Sequence, residues 1–426
     1  MLSDKSLKMN RFTIFSLVFS CFLPLTSLTA SEYWPEFRGP LGNGEAADSK
    51  VPTVFSETKN IRWKTPIHGK GWSSPVAWKD QIWVTTASED GKEMFAVCID
   101  SESGKVVRNL SVFKNPEPRF CHPTNSYASP TPIIEDGRIY VHFGSYGTAA
   151  IDTKTGERIW ERRDIECNHW RGPGSSLVIH EDRIFVAYDG FDHQFVVAFD
   201  KNSGDTLWRK DRNIDYETTN GDLKKAYSTA LVVQDANRTQ VISASAMETI
   251  SYDPNDGAEL WRVRHGGMNA ATRPVHRNGI VYLSPGDAGP NTLVAVRTDG
   301  SGKLSDENIA WKVKSGTSKR PSFILSDDLL FMVTDDGIAK CYEADSGKRV
   351  WQHRLGGNFR SSPIIANNLI YCFDQDGKAY VFAAEREFKL IAKNELENGC
   401  QASPGVLGNS LIVRTTKDLY RIEQID

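Results

Sequence analysis

Residues 194–208 read QFVVAFDKNSGDTLW, and this stretch decides the fold. An apolar strand runs to Asp200, a tight turn passes through Gly204, and a second strand opens toward Trp208. Asp can bond its own backbone and Gly supplies a positive φ, so the pair builds a hairpin. The same spacing recurs at Asp152/Gly156/Trp160 and Asp253/Gly257/Trp261, and with Glu343 at Gly347/Trp351. Asp100/Gly104 keeps the turn without the Trp, and Trp311 follows a longer turn, TDGSGKLSDEN. Each Trp is expected to pack between neighbouring units.

A second element precedes each turn. It is a short strand often opened by a small residue and Pro, as in SSPVAW, TPIIED, SSPIIA and ASPGVL. Eight such elements lie between Pro75 and Pro404, 329 residues in seven intervals, a mean of 47. Four short strands fit that period, which predicts an all-β, eight-bladed propeller of four-stranded antiparallel blades over residues 61–426. The last unit supplies three strands, and IRWKTPI around Trp63 reads as the orphan fourth. Pairing the two closes the ring and removes two exposed edges.

Composition agrees. The 426 residues include 33 Gly, 19 Pro and 11 Trp, with 39% apolar and 25% charged side chains, so the chain is neither disordered nor helical in character. Residues 12–28, FTIFSLVFSCFLPLTSL, follow Lys8 and Arg11 and precede small residues up to Ala30. They read as a secretory signal over 1–30, with an uncleaved anchor as the alternative. Residues 31–60 then form an N-terminal extension. The formal charge of −3 becomes −5 without Asp4, Lys5, Lys8 and Arg11, which argues against a globally basic nucleic-acid binder. After cleavage no stretch is long enough to span a bilayer, so a periplasmic or secreted protein, working as a monomer, is expected.

The Asp-x-x-x-Gly-x-x-x-Trp turns resemble the tryptophan-docking motif of PQQ-type, quinoprotein-like propellers, over roughly residues 60–424. YWPEFRGPLGNG, NSYASPTP and REFKLIAKNEL resemble exported BamB-like repeat proteins of planctomycete-type bacteria. The resemblance implies the fold and an envelope location. It also implies two function classes: a binding or scaffold module for an envelope protein or polymer, and a PQQ- and calcium-dependent alcohol or sugar dehydrogenase. A polymer-acting hydrolase built on the propeller is a further option. Adjacent cysteines over a quinone and a Cys-x-x-Cys-His haem site are absent from the sequence, and no spacing singles out a calcium-binding carboxylate trio.

In a propeller the first strand of each blade is innermost, so residues just before it approach one mouth of the axis. Here they include Trp72, Tyr127, Arg171, Lys225 with Tyr227, Arg273, Arg320, Arg360 and Gln401. Such a basic mouth suits a small anionic ligand. The alternative is that the cations pair with neighbouring carboxylates. Cys121 and Cys167 precede equivalent strands on adjacent blades, which suggests a disulfide. Metal ligation with His122 and His169 and unpaired thiols are the other options. Cys98, Cys341 and Cys372 read as buried strand residues. Asp189, Asp192 and His193 read as a polar hairpin, with a ligand contact as the alternative. The docking set is Trp63, Trp160, Trp208, Trp261, Trp311 and Trp351.

Overall fold

A computed structural model describes the chain apart from residues 2–32, 47–48, 236–237, 288–292 and 426. The expected leader therefore lies outside the described residues. Eight antiparallel sheets follow one another around an axis. Blades 1 to 7 take residues 76–114, 133–162, 178–211, 231–264, 275–313, 324–354 and 364–395. Blade 8 takes residues 405–422, and Ile61–Pro66 pairs with its Asp418–Ile422 strand as the outermost member. The ring is thus closed by the N-terminal strand, as its sequence predicts.

The turns form for the reasons their residues suggest. Asp200 Oδ1 accepts the backbone N–H groups of Asn202 and Ser203, and Gly204 N–H bonds the Asp200 carbonyl. Gly204 has φ 78°, and the indole of Trp160 from the preceding blade lies where a Cβ would be. Trp63 lies in the same way on Gly104, Trp208 on Gly257 and Trp311 on Gly347. Their indole N–H groups donate to carbonyls of the next blade: Trp63 to Ser101, Trp160 to Lys201, Trp208 to Pro254, Trp311 to Ala344. Trp351 donates to Glu385 in the same manner. Trp261 differs. It faces the longer turn of blade 5 and donates to Gln240 within its own blade.

Every outer strand pair slips register by one residue beside this position. The bulge leaves one residue unpaired and re-aims its neighbour. It explains why Val107, Ile159, Leu207 and Ile391 are exposed. Between blades the cores are apolar. Cys98, Cys341 and Cys372 are buried in them, as expected.

The N-terminal extension has a structural role that the sequence does not announce. Tyr33–Trp34 pairs with the innermost strand of blade 1, and Glu45–Ala46 with that of blade 7. Between them the chain crosses the axis. The Pro35 carbonyl accepts Ile134 N–H of blade 2, Arg273 of blade 5 bonds Glu36 and the Phe37 carbonyl, and Arg38 donates to the Phe323 carbonyl of blade 6. One end of the axis is closed by this strap.

Candidate axial binding site

At the other end the axis is an open cup of about 220 Å³, with Phe37 of the strap in its lining. Two positions of the repeat build the wall. The residue two places before each inner strand is Ser74, Thr131, Ser176, Thr229, Arg273, Ser322, Ser362 or Ser403. The hydroxyl of one blade accepts the backbone N–H of its counterpart in the blade before. This holds from Ser74 to Thr131 (3.0 Å), to Ser176 (2.9 Å) and to Thr229 (3.0 Å). It holds again from Arg273 to Ser322 (2.9 Å), to Ser362 (3.0 Å) and to Ser403 (2.8 Å). Arg273 is the one member without a hydroxyl. Aligning the eight strand openings would have found this girdle and its exception.

Two residues earlier in each blade, the chain presents Trp72, Ser129, Gly174, Tyr227, Ala271, Arg320, Arg360 and Gln401, and all eight line the cup. Arg171 reaches in from a longer approach, and Lys319 joins from beside Arg320. The expected basic mouth is therefore assembled from Arg171, Arg320 and Arg360, together with Lys319, which the sequence reading missed. Lys225 and Arg273 are corrections. The Lys225 ammonium is fully buried and paired with Asp222, below the surface of the wall. Arg273 sits at the girdle level and turns to Glu36 of the strap at 2.9 Å. Tyr127 also turns away, donating to the Arg119 carbonyl.

Several cations are matched by carboxylates. Arg320 pairs with Asp335 at 2.6 Å, Lys319 with Asp287 at 3.1 Å, and Arg171 lies 3.8 Å from Asp222. Arg360 donates to the Thr124 carbonyl at 2.8 Å and makes no ion pair among the described residues. Burial and the nearby Arg320 push its pKa below the usual guanidinium range. Four buried polar atoms of the lining have no hydrogen-bond partner among the described residues: Trp72 Nε1, Arg171 Nε, Asn269 Oδ1 and Gln401 Oε1. Native interiors seldom leave such atoms unpaired. An anion with additional hydroxyl groups is the chemistry that would satisfy both the donors and the acceptors.

The cysteine and histidine alternatives resolve differently. Cys121 and Cys167 are free thiols, so the disulfide is not formed. Cys121 Sγ faces the Arg171 carbonyl at 3.6 Å, whereas Cys167 Sγ is turned to His169 Nδ1 and the His193 carbonyl, each at 3.9 Å. Burial pushes the Cys121 thiol up to about 11 and Cys167 well above its ordinary value. His122 and His169 do not combine as metal ligands. His169 is a core residue whose Nε2 accepts Ser145 N–H, and burial holds its pKa at about 4. His122 lines the cup with Nδ1 against Thr124, and burial and then Arg171 and Arg360 lower its pKa. Asp189 is buried and grips Arg212 with both oxygens, at 2.5 and 2.7 Å. Asp192 holds the Asn168 N–H at 2.7 Å.

The family model described as outer membrane protein assembly factor BamB matches residues 47–191, 192–308 and 303–387. Tetrathionate hydrolase of Acidithiobacillus ferrooxidans is 24% identical over 251 residues, 57% of this chain and 48% of that protein. The chain thus spans about half the length of that relative. BamB of Shewanella oneidensis is 20% identical over 306 residues, 67% of this chain and 72% of that protein. Quinohemoprotein alcohol dehydrogenase of Comamonas testosteroni superposes with TM-score 0.70 at 9% identity, over 93% of this chain and 81% of that one. BamB of Moraxella catarrhalis gives TM-score 0.59 at 13% identity, over 85% of this chain and 99% of that one. At these identities the superpositions speak for the fold.

Pyrroloquinoline quinone with calcium, which the quinoprotein resemblance implies, does not fit the donor set. A tricarboxylate would suit the cations, but among the described residues Asp287 is the sole carboxylate in the lining and is held by Lys319. No group of three His, Cys, Asp or Glu side chains gathers for a metal ion among the described residues.

Proposed function

The chain belongs to the family of the outer membrane protein assembly factor BamB, and from that premise we propose that it is an exported, non-catalytic binding module of the cell envelope that takes a small anionic ligand in its axial cup. One observation carries the reading: the cup, blind at its strap end, is lined by buried donors and acceptors without partners beside a guanidinium without a carboxylate. Desolvated polar groups of this kind are costly until a ligand pairs them. The signal-like residues 12–28 support export.

Calorimetric titration with citrate, tartrate and galacturonate at low salt tests it. We expect saturable binding at one site per chain. Arg360→Gln should weaken it by about tenfold or more, since a charge-assisted hydrogen bond contributes about 1.5–3 kcal/mol. Calcium should leave the affinity for galacturonate unchanged, because the one carboxylate of the lining among the described residues, Asp287, is already paired with Lys319. Failure of every anion to bind, or binding indifferent to Arg360, would remove the site.

A further inference from the structure

Beside the mouth of the cup lies a row of exposed aromatic rings that neither the blade bulges nor the inter-blade cores explain. Phe120, Trp170 and Phe191 are 57%, 44% and 37% exposed. They come from three separate segments: the connection into blade 2, the connection into blade 3, and a hairpin of blade 3. Their ring centroids follow one another at 5.9 Å and 5.5 Å, tilted by 57° and 36°. The row begins inside the cup, because His122 of the lining meets Phe120 edge-on at 6.4 Å.

The middle ring is held there against a backbone preference. Trp170 has φ 58°, a left-handed conformation that bulky residues seldom adopt. Asn168 Oδ1 accepts its N–H at 3.0 Å, and Arg171 N–H closes a tight turn on the His169 carbonyl. This turn sends Trp170 outward and the adjacent Arg171 into the cup. Strain of this kind marks a segment whose geometry is set by more than its own stability.

The chemistry on the two sides of the lip is complementary. Asn269 of the lining is 8% exposed and its amide donates to Asp287, while its Oδ1 is a buried acceptor without a partner among the described residues. An inorganic anion without a proton, such as sulfate, offers nothing to that oxygen, whereas a hydroxyl does. Arg360 requires a negative charge. Outside, flat apolar faces are spaced along a path longer than any single ring, next to the polar side chains of His122 and Asn168. A ligand with hydroxyl edges, apolar ring faces and carboxylates meets all three demands.

We infer that the cup and the aromatic row form one elongated site for an acidic oligosaccharide, with one sugar acid seated in the cup and the following rings stacked on Phe120, Trp170 and Phe191. The inference rests on the cup reading above and extends it in length and ligand class. A peptide is the less favoured occupant, because the rings stand out as separate tilted faces rather than lining a continuous apolar groove.

Calorimetry at low salt with the purified protein separates the possibilities. The probes are galacturonate, tetragalacturonate, tetramannuronate, neutral cellotetraose and a tetra-aspartate peptide. At least one acidic tetramer should bind about tenfold or more tighter than galacturonate, as expected from two or three stacked rings. Trp170→Asn tolerates the left-handed backbone and should abolish that length advantage while leaving galacturonate binding unchanged. Trp170→Phe should restore most of it. Phe120→Ala is a second exposed position that should act in the same direction.

Equal affinity for monomer and both tetramers overturns the elongated site and leaves the cup intact. Loss of all anion binding overturns both readings. Cellotetraose binding as tightly as the acidic tetramers overturns the requirement for charge. Tight tetra-aspartate binding that Trp170→Asn removes assigns the row to a peptide and overturns the sugar.

Discussion

Histidines show how the same residue type takes opposite roles in this ring. His142, His169 and His265 are buried deeply enough that desolvation lowers their pKa from 6.5 to about 3, about 4 and about 4. Between pH 6.5 and about 4 the unfolded chain binds these protons and the folded chain does not, so stability falls as pH falls through that window. Urea midpoints should therefore drop steadily from pH 7 to pH 4.5, and His169→Gln should flatten the slope by about one proton. A wild-type midpoint that is flat across the window would contradict this. His122 instead faces the cup, where burial and then the surrounding cations resist its protonation. A bound anion relieves that resistance. Affinity for galacturonate should rise as pH falls through the His122 pKa of the complex and level off below that of the free protein. The chemical shift of its ring, followed with and without ligand, reads both values.

The strap is an element that owes its conformation to the rest of the molecule. Its chain reverses through Gly39, Gly42 and Gly44, all with positive φ, and Gly42 lies where a Cβ would strike the Arg273 guanidinium. Burial raises the pKa of Glu36 while Arg273 opposes the rise, and burial with Arg273 lowers Arg38 to about 9. Glu36 thus answers one of two buried guanidinium groups, that of Arg273, while among the described residues Arg38 is held by carbonyl oxygens alone. Arg273→Ala should destabilise the fold by about 3–5 kcal/mol, because it leaves Glu36 buried without its partner. Restoring the hydroxyl girdle and neutralising the acid together, in Arg273→Ser with Glu36→Gln, should recover part of that loss. A denaturant midpoint for the double variant at or below that of the single one would refute the pairing.

Closure governs the behaviour of the whole ring. An open repeat array unfolds from its ends, whereas a closed ring has none. The join is made by Ile61–Pro66 on blade 8 and by Trp63, whose indole lies across Gly104 of blade 1. Trp63→Ala removes that lock and leaves a cavity at the seam, at a cost of about 3–5 kcal/mol. We expect the transition to lose cooperativity as well as midpoint. Trp261→Ala should lower the midpoint without broadening the transition, because Trp261 bonds within its own blade. Equal broadening in both variants would argue that the seam is no different from any other junction.

By itself the sequence determined the number of blades, their four-strand plan, the docking tryptophans and the closing strand. These features rest on contacts within one repeat or between adjacent repeats, so each is written as a short pattern and then repeated. Trp261 packs against blade 5 as its motif implies, but its indole bonds within its own blade, because the turn it faces, TDGSGKLSDEN, breaks the spacing. What faces the axis was decided by the tertiary structure. A cation near the start of an inner strand reads alike at several offsets, yet Arg320 and Arg360 face the cup, Arg273 turns to the strap and Lys225 is buried. In extended chain a shift of one residue reverses the direction of a side chain. The strap could not be read from its own residues either, since its partners lie on blades 1, 2, 5, 6 and 7. Phe37 meets Arg360 in one lining only because the closed ring brings together parts of the chain more than 300 residues apart.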